Sequence, residues 1–568
     1  MKKNNLTAAE AVVDALIEEG VEVVFGMTGD TVLPLLDAMY QRKDEIRYVT
    51  ARVETGATAM ADTYSRTTGK IGCCLFHVGP SIANTILGAW SAQKDAVPLL
   101  VMSANMDTFR LDRNIWHEFD VMGVYSKFTK WQGQLVQAKD TRRLMRNAFQ
   151  AAKSGMPGVV HIDFPKDILP QPADVESTDL SLMGGAHSAA TSNRPRPEAW
   201  AVTRAAEILR GARKPLILSG RGVRWGGGSQ QLVMLAEAMT IPVITTEMGR
   251  GTIPEDHPLA GGLVGHFGHS AANALLREAD VVLGLGSRFL NVSTINWSMI
   301  APDTKIIQVE ADPLEIGKQY AVELGIYSDS CTFLGDLCAE IGALAAPTVD
   351  KDNQRVKRVA ELLADQSLRY YDTDLDAVPI KPQRITKAIE KICDRDAIFV
   401  FGSGLHTQFA HGIKIRLPDQ YNYSIGSGTM AWALPGAIGA KLAFPDRQVV
   451  VCIGDGDFGM NAQEIETSIR ENAPVIIVVY NDCSFGALRV FQKQHYGERF
   501  IGSHFGQTDH AKLAEAYGAR GEKVESPSEL EPALRRAAKA ETTSVIDVII
   551  DGWEPHYRVE EFAEFHKF

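Results

Sequence analysis

The chain has 568 residues, a formal net charge of −12, and 45% hydrophobic against 23% charged residues. That balance describes a globular protein long enough for three or four domains, and an acidic surplus without a basic run argues against a nucleic-acid partner. No apolar run reaches the roughly 18 residues of a membrane span, and the N-terminus turns amphipathic and acidic after Lys2-Lys3, unlike a signal peptide. Seven scattered cysteines form no C-x-x-C pair, so the expectation is reduced thiols in a cytoplasm.

Thr7 with Glu10 three residues later forms a capping box that opens the first helix. Val21–Phe25 reads as a strand ending at Gly26-Met27-Thr28-Gly29-Asp30, and Tyr48–Arg52 as a strand ending at Val53-Glu54-Thr55-Gly56. Gly72–Phe76 ends at His77-Val78-Gly79-Pro80 and precedes a helix over Asn84–Lys94 and a strand over Leu99–Ser103. Asp30, Glu54 and His77 thus recur just beyond strand ends, the binding edge of an open α/β sheet. Asp174–Glu198, with Ser, Ala and Pro and little periodicity, reads as a linker. Strands follow at Pro215–Ser219, Pro242–Thr245, Val281–Leu285 and Lys305–Val309. The polar stretch Asp350–Lys357 leads to a helix and to a second linker over Tyr370–Pro382. Strands then recur at Ala397–Phe401, Val449–Ile453, Val475–Val479 and Val545–Ile549. The fold expected is α/β, three doubly wound parallel-sheet domains at 1–180, 195–345 and 370–555 with a tail at 556–568. Their similar lengths suggest one shared design.

One stretch organises the rest: GDGDFGMNAQEIETSIRENAPVIIVVYNDCS, residues 454–484. Strand, tight Gly turn, helix and strand make a βαβ unit, and both acidic ends fall at the carboxyl edge. Gly454 and Gly456 let backbone N–H groups approach a phosphate at a helix N-terminus. Asp455 would repel that phosphate, so a divalent cation between them is the natural resolution. Asp482 and Ser484 offer further hard oxygen ligands, a set that suits Mg²⁺.

GDG followed by N-[ND] at this spacing resembles the thiamine diphosphate (ThDP) motif of the pyruvate decarboxylase and acetolactate synthase superfamily, and the resemblance covers nearly the whole chain. It implies pyrimidine-binding, middle and diphosphate-binding domains in that order, and puts Asp455, Asp482 and the Ser484 carbonyl on the metal-ligand positions. Asp482 stands where Asn is usual. RVETGATAMADTYSRTTGK, residues 52–70, is similar to the stretch that carries the family's glutamate, which hydrogen-bonds the aminopyrimidine; this places Glu54 there, with Val53 for the commoner His. IGSGTMAWALPGAIGAKLAF, residues 425–444, resembles the family's G-T-M-x-x-x-L-P-x-A-I-G-A, so Gly428 lies beside the cofactor and Met430 wedges it into its bent shape. Gly404-Leu405-His406 resembles the G-Q-H turn at the diphosphate, with His406 donating to a phosphate oxygen; Asp457 completes the cofactor loop.

On the substrate side Asp30 stands where simple decarboxylases of the family carry an acid. His77 stands where benzoylformate decarboxylase-like members carry a proton-transferring His, and His117 replaces a Gln of the acetolactate synthase pattern. An acid and two imidazoles at a carbanion centre would shuttle protons. ADVVLGLGSRF, residues 279–289, and QVEADPLEIGK, residues 308–318, resemble acetolactate synthase middle domains, where FAD binds. Phe267 replaces their His and Leu290-Asn291 their acid pair, which leaves FAD open without supporting it. The resemblance implies a ThDP- and Mg²⁺-dependent transferase or lyase acting on a 2-oxo acid or diketone, led by an acetolactate synthase-like decarboxylating carboligase. The alternatives are a 2-oxo acid decarboxylase, a C–C hydrolase, a flavin oxidase and a catalytically silent scaffold. It further implies a homodimer as the smallest active unit, within a homotetramer.

Overall fold

The computed structural model describes residues 6–173, 194–343, 349–365 and 374–555. The N-terminal sheet comprises β1 (Val23–Gly26), β2 (Arg47–Thr50), β3 (Gly72–His77), β4 (Leu99–Asn105), β5 (Trp131–Gln134) and β6 (Val159–Pro165). The middle sheet comprises β7 (Pro215–Ser219), β8 (Val243–Thr245), β9 (Ala260–Leu263), β10 (Val281–Leu285), β11 (Lys305–Glu310) and β12 (Leu324–Tyr327). The C-terminal sheet comprises β13 (Ile398–Phe401), β14 (Tyr421–Asn422), β15 (Val449–Gly454), β16 (Ile476–Asn481), β17 (Arg520–Val524) and β18 (Ser544–Ile549). Every pairing within the sheets is parallel. β3, β4, β6 and β16 are buried at every residue, as helices on both faces of a parallel sheet require.

The N-terminal order β2-β1-β3-β4-β6-β5 and the C-terminal order β14-β13-β15-β16-β18-β17 are one topology. The middle sheet departs from it. Its order β12-β11-β10-β7-β8-β9 runs outward one way from β7 and restarts on the other side at β10, the reversal typical of dinucleotide folds. A shared design therefore covers two of the three sheets. Other expectations also shift locally. The helix expected over Asn84–Lys94 is two, Pro80–Asn84 and Ile86–Lys94, because Thr85 turns its hydroxyl back to the Ile82 carbonyl at 2.6 Å. Gln354 already opens the helix Gln354–Ala364, and Pro382 opens Pro382–Ile392 instead of closing a linker; Pro suits the first helical position, where no N–H is needed. Residues 174–193 of the first linker, 370–373 of the second and the tail at 556–568 lie outside the described residues.

The N- and C-terminal units pack through the helices Glu54–Thr68 and Ala433–Ala443. Gly439 permits the approach: a Cβ there would lie 2.1 Å from the Met60 carbonyl oxygen. At the other end of this seam Arg66, fully buried, donates to Asp62 at 2.7 Å, Asp95 at 2.9 Å and the Tyr423 carbonyl at 3.1 Å. Trp432 Nε1 donates to Asp62 at 2.8 Å. One core runs across both units, from Phe25 and Met60 to Ile438 and Val451. Among the described residues no helix is long and apolar enough to cross a membrane.

Candidate active site

At the C-terminal sheet the loops after β13, β14, β15 and β16 surround a cavity of about 250 Å³. All eleven cofactor and metal positions expected from the sequence line it, from Gly404 to Ser484. Asp455 lies at the start of the helix that leaves β15; its Oδ1 accepts the Gly456 N–H at 3.0 Å, while Oδ2 is buried without a partner. Burial, and then the nearby Asp482 charge, push its carboxyl up to about 7. Two carboxylates so placed disfavour each other's charged form, and their oxygens could hold a cation between them. Asp482 Oδ1 accepts from Ser484 N–H at 3.1 Å and Oγ at 2.8 Å, and Oδ2 accepts from Arg489 Nη2 at 2.8 Å. Arg489 stacks over Trp553 at 4.3 Å. The extra charge of Asp482 relative to Asn is thereby matched by a buried guanidinium. The flanking bonds, Phe485 N–H to Ser503 O and Phe505 N–H to Cys483 O, leave the Ser484 carbonyl without a backbone partner among the described residues.

Asp457 is also fully buried, but it accepts the Ser403 N–H at 2.9 Å and the Ala431 N–H at 2.5 Å. It braces two loops against each other, and burial pushes it up to about 7. His406 is buried, with Nε2 unpartnered at the cavity, and burial lowers it to about 3. It is a neutral imidazole, fit to donate one hydrogen bond but not to carry charge. Gly404 and Gly454 make room for its ring, since a Cβ on either would sit 2.9 Å from Nδ1. Met430 is half-buried in the wall.

The N-terminal edge is different. Asp30 follows β1, Glu54 follows β2 and His77 ends β3, on adjacent strands. His77 Nε2 lies 2.8 Å from His117 Nδ1, while its Nδ1 lies 2.7 Å from Thr31 Oγ1 and 3.4 Å from Asp30 Oδ1. Lys166, just beyond β6, pairs with Asp30 at 3.1 Å and holds its carboxyl down against burial. Burial lowers His77; Asp30 opposes this, and His117 and Lys166 add to it. Glu54 is buried and held apart from this chain by Asn84 Nδ2 at 3.0 Å. The backbone N–H groups of Arg52 and Val53 both donate to Glu464 Oε1 at 3.0 Å, which fixes the Glu54 loop. No residue of the N-terminal sheet or its loops lines the C-terminal cavity.

Three family models match the chain in order: the thiamine pyrophosphate enzyme N-terminal TPP binding domain over 6–124, the central domain over 202–337 and the C-terminal TPP binding domain over 402–548. The chain belongs to the thiamine pyrophosphate enzyme family. Among its relatives, a probable acetolactate synthase large subunit of Methanocaldococcus jannaschii is 34% identical, covering 96% of this chain and 92% of the relative. The acetolactate synthase isozyme 3 large subunit of Escherichia coli is 32% identical, with 98% and 96% covered. The acetolactate synthase large subunit of Lactococcus lactis is 32% identical, with 97% and 94% covered.

The residues of this thiamine pyrophosphate enzyme fit its cofactor where they were tested. Asp455 Oδ2 and His406 Nε2, both without a partner among the described residues, border one cavity with Ser484. Among the described residues no cluster of three or more His, Cys, Asp or Glu could hold a metal by itself. Sequence reasoning missed Thr31, Lys166, Glu464 and Arg489. Thr31 was in view, one residue beyond Asp30; Arg489, seven residues past Asp482, was signalled only by the charge that Asp482 leaves to be balanced.

Proposed function

We propose that this enzyme makes or breaks a C–C bond next to the carbonyl of a 2-oxo acid or diketone, using ThDP held through Mg²⁺, and that it is an acetolactate synthase-like carboligase. The observation that carries the cofactor reading is the orphaned Asp455 carboxylate facing a glycine-walled cavity together with Asp482 and Ser484. Relatives that cover nearly the full chain support the carboligase reading.

Bound ThDP would supply a carbanion-stabilising ring, and the protein would position it and handle its protons. Asp455, Asp482 and the Ser484 carbonyl would hold the cation, Gly404, Gly454 and Gly456 would admit the diphosphate, and His406 would donate to it. Met430 and Gly428 would lie along the ring system, and Glu54 would hydrogen-bond the aminopyrimidine. Because the cavity is lined from 382 to 554 only, we infer that Glu54 reaches it from a second copy, which makes a homodimer the smallest active unit and a homotetramer its simplest pairing. His77, Asp30 and His117 would exchange protons with the substrate carbon. That triad favours a second reading, a 2-oxo acid decarboxylase or C–C hydrolase, in which protonation ends the cycle.

The middle sheet carries its own cavity of about 240 Å³ where its strand order reverses, between Arg221 beyond β7 and Gly286 beyond β10. Arg221 Nη1 is buried there without a partner, which suits a phosphate, and we place any FAD in this crevice. Phe267 does not line it; its ring lies edge-on to His411 and Tyr423. A flavin spectrum of the purified protein tests this. Seven unpaired cysteines agree with a cytoplasmic setting. Product analysis after incubation with a panel of 2-oxo acids and diketones, ThDP and Mg²⁺ tests the whole: 2-hydroxy-ketone products support the carboligase, aldehydes the decarboxylase, and no turnover of any 2-oxo acid or diketone overturns both.

A further inference from the structure

We propose that Thr31 is a positioning residue that sets the direction of proton transfer through His77 and His117. This rests on the reading above, in which the two imidazoles move protons. Thr31 is fully buried, and its hydroxyl lies 2.5 Å from the Ala104 carbonyl oxygen. A carbonyl only accepts, so the single hydroxyl proton is committed to Ala104. Oγ1 can then only accept from His77 Nδ1 at 2.7 Å, and the second neighbour of that nitrogen, Asp30 Oδ1 at 3.4 Å, is also an acceptor. The proton of uncharged His77 therefore sits on Nδ1 and its lone pair on Nε2. At 2.8 Å from that lone pair His117 Nδ1 must be the donor, so His117 keeps its own lone pair on Nε2. Among the described residues nothing hydrogen-bonds to that nitrogen.

The chain of donors thus runs one way, from His117 to His77 to Thr31 to Ala104. It takes a proton at His117 Nε2, passes the Nδ1 proton of His117 to His77 Nε2, and leaves the positive charge on His77 beside the Asp30 carboxylate. The titratable groups facing His77 are Asp30, Lys166 and His117. Returning the proton reverses each transfer, and no other bond changes. Two glycines hold the rings in register. A Cβ on Gly29 would sit 2.6 Å from the His77 ring, and one on Gly79 2.6 Å from the His117 carbonyl oxygen. His117 itself is held at φ +67°, a left-handed conformation that costs a non-glycine residue, and Trp116 packs on its ring at 4.3 Å.

Neutron diffraction from deuterated crystals of the full chain tests this without cofactor or substrate. The expected map shows deuterium on Nδ1 of both His77 and His117 and none on Nε2 of His77; deuterium on His77 Nε2 overturns the proposal even if every variant fails to fold. Thr31→Val removes the nearer acceptor at nearly constant volume and leaves only Asp30 Oδ1 at 3.4 Å, and Thr31→Ser restores the nearer one. The Val variant should lose about tenfold in kcat, less than loss of an acid–base group outright. KM should change little, the pH–rate limb should move, and Ser should recover both. A Val variant with unchanged kcat and pH profile overturns the positioning role. Deuterons as expected in a protein that turns over no 2-oxo acid would sink the functional reading and leave the tautomer assignment standing.

Discussion

At the carboxyl end of β3 the chain places His77; at the matching strand of the other outer sheet, β15, it places Gly454-Asp455-Gly456. The same contrast repeats beside them. Asp30 and Thr31 follow β1 where Ser403 to His406 follow β13, and Glu54 follows β2 where Gly428 to Met430 follow β14. One topology therefore fixes where a ligand must approach, while the loop residues decide the chemistry. The N-terminal edge carries titratable side chains, Asp30, Glu54 and His77, packed among hydrogen bonds. The C-terminal edge carries glycines, the carboxylates of Asp455, Asp457 and Asp482, and a neutral imidazole around one cavity. In one chain the two edges do not share this cavity.

The contrast can be broken from either side. Asp455→Ala should abolish Mg²⁺-dependent ThDP binding, because the diphosphate would face Asp482 without its bridging cation. Calorimetry with and without Mg²⁺ checks it, and undiminished metal-dependent binding would remove Asp455 as a ligand. Glu54→Gln should leave ThDP binding intact and slow exchange of the cofactor's C2 proton by about 10²–10⁴, the usual worth of an acid–base group. Exchange followed by NMR after acid quench decides this, and wild-type exchange would clear Glu54 of its role.

Smaller effects sharpen the comparison by testing what holds the edges in place. Arg66→Met leaves Asp62 and Asp95 buried beside each other at the seam between the two units. It should cost about 3–5 kcal/mol in denaturant unfolding, since one partner of a buried charge cluster has been removed. A loss under 1 kcal/mol would show that the seam does not depend on it. The third edge supplies the smallest effect. Glu247, buried beside the middle cavity with Ser293 Oγ donating to it at 3.1 Å, is pushed up to about 7 by burial. The folded state thus holds this proton more tightly than the unfolded chain. Its contribution is fully present below about pH 4.5 and is lost as pH rises to about 7. Glu247→Gln should flatten that slope and gain at most about 3 kcal/mol at pH 8. An unchanged slope would mean that Glu247 is not the group responsible.

Much of both edges was legible in the sequence because a parallel sheet's interior strands are long, apolar and closed by polar turns. Gly72–Phe76, Pro215–Ser219, Val281–Leu285 and Val449–Ile453 fall on observed strands within a residue. Of the six strands not foreseen, β5, β9, β12, β14 and β17 are all at sheet edges. Edges face solvent on one side, so β12 alternates buried and exposed, β5 is Trp-Gln-Gly-Gln and β14 has two residues. β6 was interior and readable; His161 and Asp163 interrupt its apolar run. The side chains Glu54, Asp455 and His77 stood out because each lies at or just beyond a strand's carboxyl end. Their braces did not: Thr31, Glu464 and Arg489 act across distances in sequence or through a proton's location, which no spacing records.

On the proposed reading, one active site takes its proton edge from one chain and its cation edge from another. Mixing Glu54→Gln chains with Asp455→Ala chains tests it most directly. Each homodimer should be inactive, whereas a mixed dimer would hold one site with both lesions and one with neither. Activity should return toward roughly half of wild type per mixed dimer, the arithmetic of two independent, equivalent sites. Confirmed exchange of differently tagged chains with no return of activity would contradict the shared site.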